Sequence, residues 1–385
     1  MDNLTHSLVG LAVSKSGLEK FSPATNALCI VAANAPDLDV VTGIFGDRWT
    51  VLHHHRGITH SIAGTIVLAL VLPLLFALGD MIAASWRGGS RQVRLRGLLV
   101  ASFIASVTHP LLDWTNNYGV RLLLPWNSEW FYGDLVFIVD PYVWLTFGVA
   151  AFLLTSSTKW RALLWGLFAA ALTLLVGYVG LMQSALPHPR LILAVWMGAL
   201  AGGVVAYRLN LAQRWGGRIA LTAFALLIVY WSGLALLHHQ AVNSARTNAV
   251  ALAAEHNEQF IRLAAMPVLA DPTQWRCVVE TDRAFYRFDL FFRDWMRGPG
   301  DLARFAKPEG TATNIIALAK QDRRAEALLE FARFPLGRVA GSSCVGQTLV
   351  QLADIRYTEP GRPRGSFSLE LPVACPTDAS ANNGR

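Results

Sequence analysis

Six runs of apolar residues, each near the roughly 20 residues that cross a bilayer, constrain this chain more than any other feature. They cover residues 62–83, 98–112, 137–154, 162–182, 191–207 and 219–237. Only 15% of the 385 residues are charged, whereas soluble globular proteins have about a quarter. The sequence therefore predicts a mainly α-helical, polytopic membrane protein.

Basic residues mark alternate loops between these runs and so predict the topology. Positive charge collects in three loops, which contain Arg87, Arg91, Arg94 and Arg96, then Lys159 and Arg161, then Arg208, Arg214 and Arg218. By the positive-inside rule these loops are cytoplasmic, which places residues 1–61 and the part after His238 outside. The formal net charge of +7 is thus a topology signal. No nucleic-acid partner is predicted, because the later arginines are interspersed with acidic residues.

Two short apolar stretches precede the six runs, at residues 4–13 and 24–35, and "SKSGLEKFSP" separates them. Each is about half a bilayer long as a helix. A cleavable signal peptide is not predicted, because the first seven residues contain Asp2 and neither Lys nor Arg. We therefore expect a re-entrant or interfacial helical hairpin, whose two ends, near His6 and Asp37, return to one side of the membrane.

Ionisable residues cluster where the apolar runs begin and end. In "VLHHHRGITHS", residues 51–61, His60 lies just before the first run, and "THPLLD" places His109 and Asp113 at the end of the second. His109 and Asp113 are spaced i, i+4 and so share one helix face. Since the two runs are antiparallel neighbours, we expect seven side chains to converge at the outer face: His6, Asp37, Asp39, His55, His60, His109 and Asp113.

Imidazole nitrogens and carboxylate oxygens are ligands that suit divalent metals, foremost zinc, with manganese or iron as alternatives. Seven candidate ligands exceed the need of one ion, so two or three ions are predicted. Such ions activate water and neutralise the leaving oxygen of a phosphate ester. Arg56 could then hold a phosphoryl oxygen. One aspartate, Asp37, Asp39 or Asp113, could act as the base instead of as a ligand.

The same residues also allow other functional interpretations. A metal transporter would continue its polar residues through the membrane, and the later apolar runs contain almost none. A non-catalytic lipid-binding or structural membrane protein could use the same ligands for a structural metal. Single histidines such as His53 and His54 are expected to be interfacial residues rather than ligands.

The motifs "MDNLTHSLVG", "APDLD", "HHHRGITHS" and "THPLLDWTNNYGVRLLLPW" resemble the bacterial inner-membrane family named YdjM, regarded as metal-dependent hydrolases. The resemblance covers roughly residues 1–140. That family is described as distantly similar to zinc-dependent phospholipase C and P1 nuclease. The resemblance thus implies an inner-membrane location, phosphoester hydrolysis and metal ligands at the seven positions above. Because the predicted site lies at the lipid boundary, we expect a lipid or lipid-linked phosphate as substrate.

The composition changes after His238. Residues 240–268 are predicted to be one helix, residues 313–334 another, and residues 275–281, 284–292, 348–358 and 366–375 to be strands. These elements predict a small α+β domain on the periplasmic side. The expected division is a metal-site region at 1–140, further transmembrane helices at 141–238, this domain at 239–375 and a disordered tail at 376–385. One disulfide among Cys277, Cys344 and Cys375 is possible, with the pairing left open.

Overall fold

A computed structural model describes residues 1–182, 188–292, 300–362 and 367–374. The chain forms two compact units. The first comprises Met1–Asp39, Arg56–Gln240 and Met266–Trp275, and the second comprises Val40–His55, Ala241–Ala265 and Arg276–Arg385. The domain boundaries predicted at residues 140 and 238 stay predictions, and the tail at 376–385 lies outside the described residues.

The first unit begins with the predicted helical hairpin, formed by α1 (Asn3–Lys15) and α2 (Thr25–Asn34). Asp2 caps α1, because its Oδ1 accepts a hydrogen bond from the backbone N–H of Thr5 at 3.0 Å. A Cβ atom on Gly10 would lie 2.6 Å from the carbonyl oxygen of Cys29. Only glycine therefore lets the two helices pack this closely.

The tip of the hairpin lies at the end of the bundle opposite to His6. The backbone N–H of Arg94 donates to Ser22 Oγ at 2.7 Å, and a Cβ on Gly97 would lie 2.7 Å from the carbonyl oxygen of Phe21. Arg94 precedes α5 (Leu95–Trp114), the helix whose far end carries the predicted metal ligands. The hairpin therefore extends along the bundle and returns, as predicted, to the end where it began.

Six helices are long and apolar enough to cross a membrane among the described residues. They are α2 together with the 3-10 helix Ala35–Ile44, α4 (Ile62–Arg87), α5, α7 (Lys159–Met182), α8 (Pro189–Arg208) and α10 (Arg218–Glu255). The run predicted at 137–154 forms α6 (Pro141–Thr155), a shorter apolar helix. α9 (Leu211–Trp215) lies between α8 and α10. The protein is thus a mainly α-helical, polytopic membrane protein, as the sequence predicted.

Asp140 fastens α6 to α10 within this bundle. Its Oδ1 accepts from the backbone N–H groups of Tyr142 and Val143, at 2.8 and 3.2 Å, and so caps α6. The hydroxyl of Tyr230, on α10, donates to Asp140 Oδ2 at 2.9 Å.

We expect Asp140→Ala to lower the melting temperature of the protein in detergent. The substitution removes the oxygen that caps α6, and it leaves the hydroxyl of Tyr230 without its acceptor. Loss of a helix cap costs about 0.5–2 kcal/mol. The matched control is Tyr230→Phe, which removes only the link to α10 and should cost less. Equal melting temperatures of wild type and Asp140→Ala would contradict this role of Asp140.

The second unit contains α3 (Arg48–His54), two helices and most of two antiparallel sheets, since Met266–Trp275, which contains parts of two neighbouring strands, is counted with the first unit. One sheet has the order β1 (Phe260–Val268), β2 (Asp271–Thr281), β3 (Ala284–Phe291), β4 (Gly300–Ala306), and the other has β5 (Pro335–Val345), β6 (Gln347–Asp354), β7 (Ser368–Ala374). The helices are α11 (Thr311–Ala319) and α12 (Arg323–Phe331). Arg323 on α12 donates to Asp47 Oδ2 at 3.0 Å, and His53 pairs with Glu330 at 2.7 Å. These contacts fix α3 against α12.

Two sequence predictions for this unit were wrong, and two strands were missed. The predicted helix 240–268 ends at Glu255, and Phe260–Val268 forms strand β1, because pairing with β2 outweighs the local helical periodicity. The predicted helix 313–334 is two helices, separated where Asp322 caps α12 through the backbone N–H of Arg324. Strands β4 and β5 were not predicted.

The cysteine prediction is tested at one position. Cys277 is a buried thiol in β2. The side chain of Cys344 and the whole of Cys375 lie outside the described residues. Burial raises the pKa of the Cys277 thiol, which therefore stays protonated and packs as a small apolar side chain.

Candidate metal centre

Four of the predicted ligands meet at one end of the first unit. One ligand atom from each of four side chains lies within 4.8 Å of the others: Asp37, His60, His109 and Asp113. Three separate elements supply them, the 3-10 helix after α2, the short turn Ile58–His60, and α5. The side chains of His60, His109 and Asp113 are fully buried, and that of Asp37 is 11% exposed. The predicted convergence therefore holds for these four residues.

The hydrogen bonds of the two histidines aim their lone pairs at one point. His109 Nδ1 lies 2.6 Å from the carbonyl oxygen of Ala33 and so carries the proton. His60 Nδ1 lies 3.0 Å from Thr59 Oγ1 and 3.3 Å from Asp39 Oδ2, and so it also carries a proton. Both Nε2 atoms then present lone pairs, and they lie 3.0 Å apart. Two facing lone pairs at this distance repel each other unless a cation lies between them.

The spacing of the four ligand atoms fits tetrahedral coordination. Each histidine Nε2 lies close to both carboxylates: the distances to Asp37 Oδ1 are 3.3 and 3.6 Å, and those to Asp113 Oδ2 are 3.3 and 3.4 Å. Metal to ligand bonds of about 2.0–2.1 Å give a tetrahedron with edges of about 3.3 Å. The chemistry and the spacing of these donors therefore fit a divalent ion such as zinc.

Arg56 forms an ion pair with Oδ1 of Asp113, whereas Oδ2 is the oxygen near the two histidines. Its Nη2 lies 3.1 Å from Asp113 Oδ1, and its Nη1 donates to Asn116 Oδ1 at 2.9 Å and to the carbonyl oxygen of Gly119 at 3.2 Å. The guanidinium also stacks on the ring of Tyr118 at 4.5 Å. Arg56 is buried and adopts a left-handed backbone conformation with φ of 57°. These contacts favour a role in orienting Asp113, and its predicted contact with a phosphoryl group stays a prediction.

His6 lies next to the four-residue cluster, but its ring nitrogens are not among the four converging ligand atoms. Its ring stacks on that of His109, with centroids 3.8 Å apart, and its Nε2 lies 3.4 Å from Asp113 Oδ1. Neither ring nitrogen of this buried side chain has a hydrogen-bond partner in the described part of the chain. The amino group of Met1 also contacts Asp113. A nitrogen ligand thus lies on the other side of the Asp113 carboxylate, which is compatible with a second ion.

The remaining predicted ligands, Asp39 and His55, have different positions. Asp39 Oδ2 accepts from the backbone N–H of Arg56 at 3.0 Å and from the Thr59 hydroxyl at 3.2 Å, behind His60. Carboxylates in this position orient a ligand histidine and raise its basicity. His55 follows α3 and belongs to the second unit. Direct metal binding by either residue stays a prediction.

Sequence reasoning missed Asn3, Thr59 and Asn116. Asn3 donates from Nδ2 to Asp37 Oδ2 at 2.9 Å, Thr59 bridges Asp39 and His60, and Asn116 binds Arg56. Each lies within three residues of a predicted ligand or in the quoted motifs, which is the signal that could have identified them. Amide and hydroxyl side chains of this kind set the orientation of ligands.

The fold and the cluster define a polytopic membrane protein with buried histidine and aspartate groups that could hold a metal ion. A model of the YdjM inner membrane protein family matches residues 1–184. The inner membrane protein YbcI of Escherichia coli (strain K12) is 32% identical over 159 residues, which are 40% of this chain and 80% of YbcI. The chain belongs to the YdjM inner membrane protein family, as the motifs predicted.

Another relative is the uncharacterized protein YfhP of Bacillus subtilis (strain 168), which is 23% identical over 156 residues. The match spans 38% of this chain and 44% of YfhP, so less than half of that relative is covered. No solved structure matches the chain. The similarity to phospholipase C and P1 nuclease stays a prediction.

Proposed function

We propose that the protein is a membrane-embedded, metal-dependent hydrolase that cleaves a phosphoester bond in a lipid or lipid-linked substrate at the periplasmic leaflet. The observation that supports this most is the set of four converging donor atoms at the end of the bundle, with the Nε2 atoms of two histidines 3.0 Å apart. A divalent ion bound there would supply a Lewis acid that makes water a better nucleophile and stabilises the leaving oxygen.

The residues around this position have separate tasks in the proposed reaction. His60 and His109 would hold the ion, with their orientation set by Asp39 and by the carbonyl of Ala33. A water oxygen bonds to phosphorus and releases a proton, the ester bond to the leaving oxygen breaks, and that oxygen takes up the proton which the water released. Asp37, the most exposed of the four ligands, accepts the proton of the water in this proposal.

The periplasmic assignment rests on charge. The tip of the hairpin and the start of α5 lie at the end of the bundle that carries the arginine-rich loops, opposite the metal centre. Because Lys and Arg accumulate on the cytoplasmic side, the metal centre belongs to the periplasmic side. Membership of an inner-membrane family agrees with a location in the cytoplasmic membrane.

One observation favours a second function, a structural metal site in a non-catalytic membrane protein. Four protein ligands already complete a tetrahedral set, and three of them are fully buried. Structural zinc sites are closed in this manner, whereas catalytic sites keep one position for water. In the hydrolase, Asp37 would have to release its position or the coordination would have to expand to five.

Chelation and reconstitution distinguish the two functions. For the hydrolase we expect detergent-purified protein to cleave a generic phosphodiester and lipid phosphates, to lose this activity with a chelator, and to regain it with zinc or manganese. Metal content is measured on the same samples by mass spectrometry. A tightly bound ion without turnover of any phosphoester would support the structural site. The absence of bound metal in folded, reconstituted protein would contradict both functions.

A further inference from the structure

An apolar groove runs along α1 within the first unit. Leu4, Leu8 and Leu11 line one side at i, i+4, i+7 spacing, and Leu164, Trp165 and Phe168 of α7 line the other. Its volume is about 490 Å³, inside the range of roughly 300–1,000 Å³ that is typical of ligand pockets. Leu164 is 48% exposed, and α7 is one of the helices that could cross a membrane. The groove is therefore open toward the lipid.

One end of the groove adjoins the metal centre at its most exposed ligand. Ser7, which lines the groove, donates from Oγ to the carbonyl oxygen of Asn3 at 2.7 Å, and Asn3 donates to Asp37 Oδ2 at 2.9 Å. Asn34 Nδ2 donates to Ser7 Oγ at 3.1 Å. A short polar surface thus leads from Asp37 to the apolar groove, over about one turn of α1.

The far end of the groove lies at Arg161, near the start of α7. Its Nη1 donates to Ser157 Oγ at 3.3 Å. The groove therefore begins at Leu4 and Ser7, next to Asn3, continues along apolar side chains, and reaches Arg161. This order matches an amphiphile with a polar headgroup and one long hydrocarbon chain.

We propose that this groove binds the hydrocarbon chain of a lipid phosphoester whose phosphate lies beside Asn3 and Asp37. The inference rests on the proposed function, since it treats the lipid as the substrate of the metal centre. The hydrocarbon chain of the substrate replaces bilayer lipid along Leu4, Leu8 and Leu11. Its position in the groove then places the phosphate at Asp37, the one metal ligand that is partly exposed. Binding along the groove thus selects long-chain over short-chain phosphoesters.

The test uses a long-chain alkyl phosphonate, which is not hydrolysed, with a diazirine near the end of its chain. The whole protein is irradiated in detergent in the presence of this probe, and mass spectrometry locates the cross-linked residues. We expect them at residues 4–11 and 161–168, and we expect a long-chain alkyl phosphate to compete but a long-chain alcohol not to. Cross-links elsewhere, or equal competition by the alcohol, would overturn the proposal.

Two tryptophan variants of α7 provide a matched pair. Leu164→Trp fills the groove, whereas Leu167→Trp places the same side chain at a residue that is 59% exposed and is not among those lining the groove. We expect the first variant to lose cross-linking by roughly tenfold, the effect typical of a lost fit in an apolar pocket, and the second to match wild type. Equal cross-linking in both variants would contradict the groove as the binding site.

Turnover separates this proposal from the proposed function. If the groove holds the hydrocarbon chain of the substrate, kcat/KM for a long-chain phosphate ester exceeds that for a short-chain ester in wild type, and Leu164→Trp removes this difference whereas Leu167→Trp keeps it. Turnover without groove cross-links would overturn the groove and leave the hydrolase standing. Groove cross-links without turnover of any ester would leave a lipid phosphate site and overturn the hydrolase.

Discussion

Replacing His109 with alanine is expected to remove most of the bound metal from the purified protein. The substitution deletes one of two nitrogen donors, and it leaves His60 Nε2 facing a cavity in the buried centre. Removing a residue that only hydrogen-bonds to a metal ligand lowers metal affinity by roughly 10–100-fold. Removing the ligand itself should therefore lower the affinity by more than about 100-fold. Metal content by mass spectrometry and melting temperature with and without a chelator measure the effect.

The matched control for this substitution is His188→Ala. His188 precedes α8 and is exposed, so the same change of residue type there should leave metal content and melting temperature unchanged. A His109→Ala protein that folds and keeps its full metal content would contradict the four-residue centre. Equal losses in both variants would show a general effect on folding rather than the loss of a ligand.

Gly64→Ala is expected to disrupt the centre although it changes no ligand. A Cβ at this position would lie 1.9 Å from the carbonyl oxygen of Ile58, the first residue of the turn that ends at His60. The backbone of that turn must then move, and His60 moves with it. Overpacking of this kind costs about 1–3 kcal/mol, and a displaced ligand should lower metal affinity by roughly tenfold or more.

Gly79→Ala controls for the change of glycine to alanine within the same helix. Nothing lies within 4 Å of a Cβ there, so we expect unchanged metal content and a small gain in stability of about 0.5–1 kcal/mol from helix propensity. Metal affinity by competition with a chromophoric chelator and thermal melting are measured for both variants. If Gly64→Ala behaves like Gly79→Ala, the turn at Ile58 does not position His60.

Much of the membrane fold could be predicted because hydrophobic runs and helical periodicity are local properties. The six apolar runs correspond to helices, and the two short stretches form the hairpin. Prediction was weaker in the second unit, where Phe260–Val268 was assigned to a helix. A strand depends on its pairing partner, and β2 lies beyond a turn that local periodicity does not detect.

The residue types at the metal centre were also predictable, since His109 and Asp113 share a helix face and the hairpin had to return His6 and Asp37 to one end. The sequence could not determine which nitrogen of His60 faces inward, that Asp39 supports His60 from behind, or that Arg56 pairs with Asp113 and Asn116. These arrangements depend on hydrogen bonds between residues far apart in the chain. Only the packing of the hairpin, the Ile58–His60 turn and α5 against one another decides them, because each bond forms where two separate backbones meet.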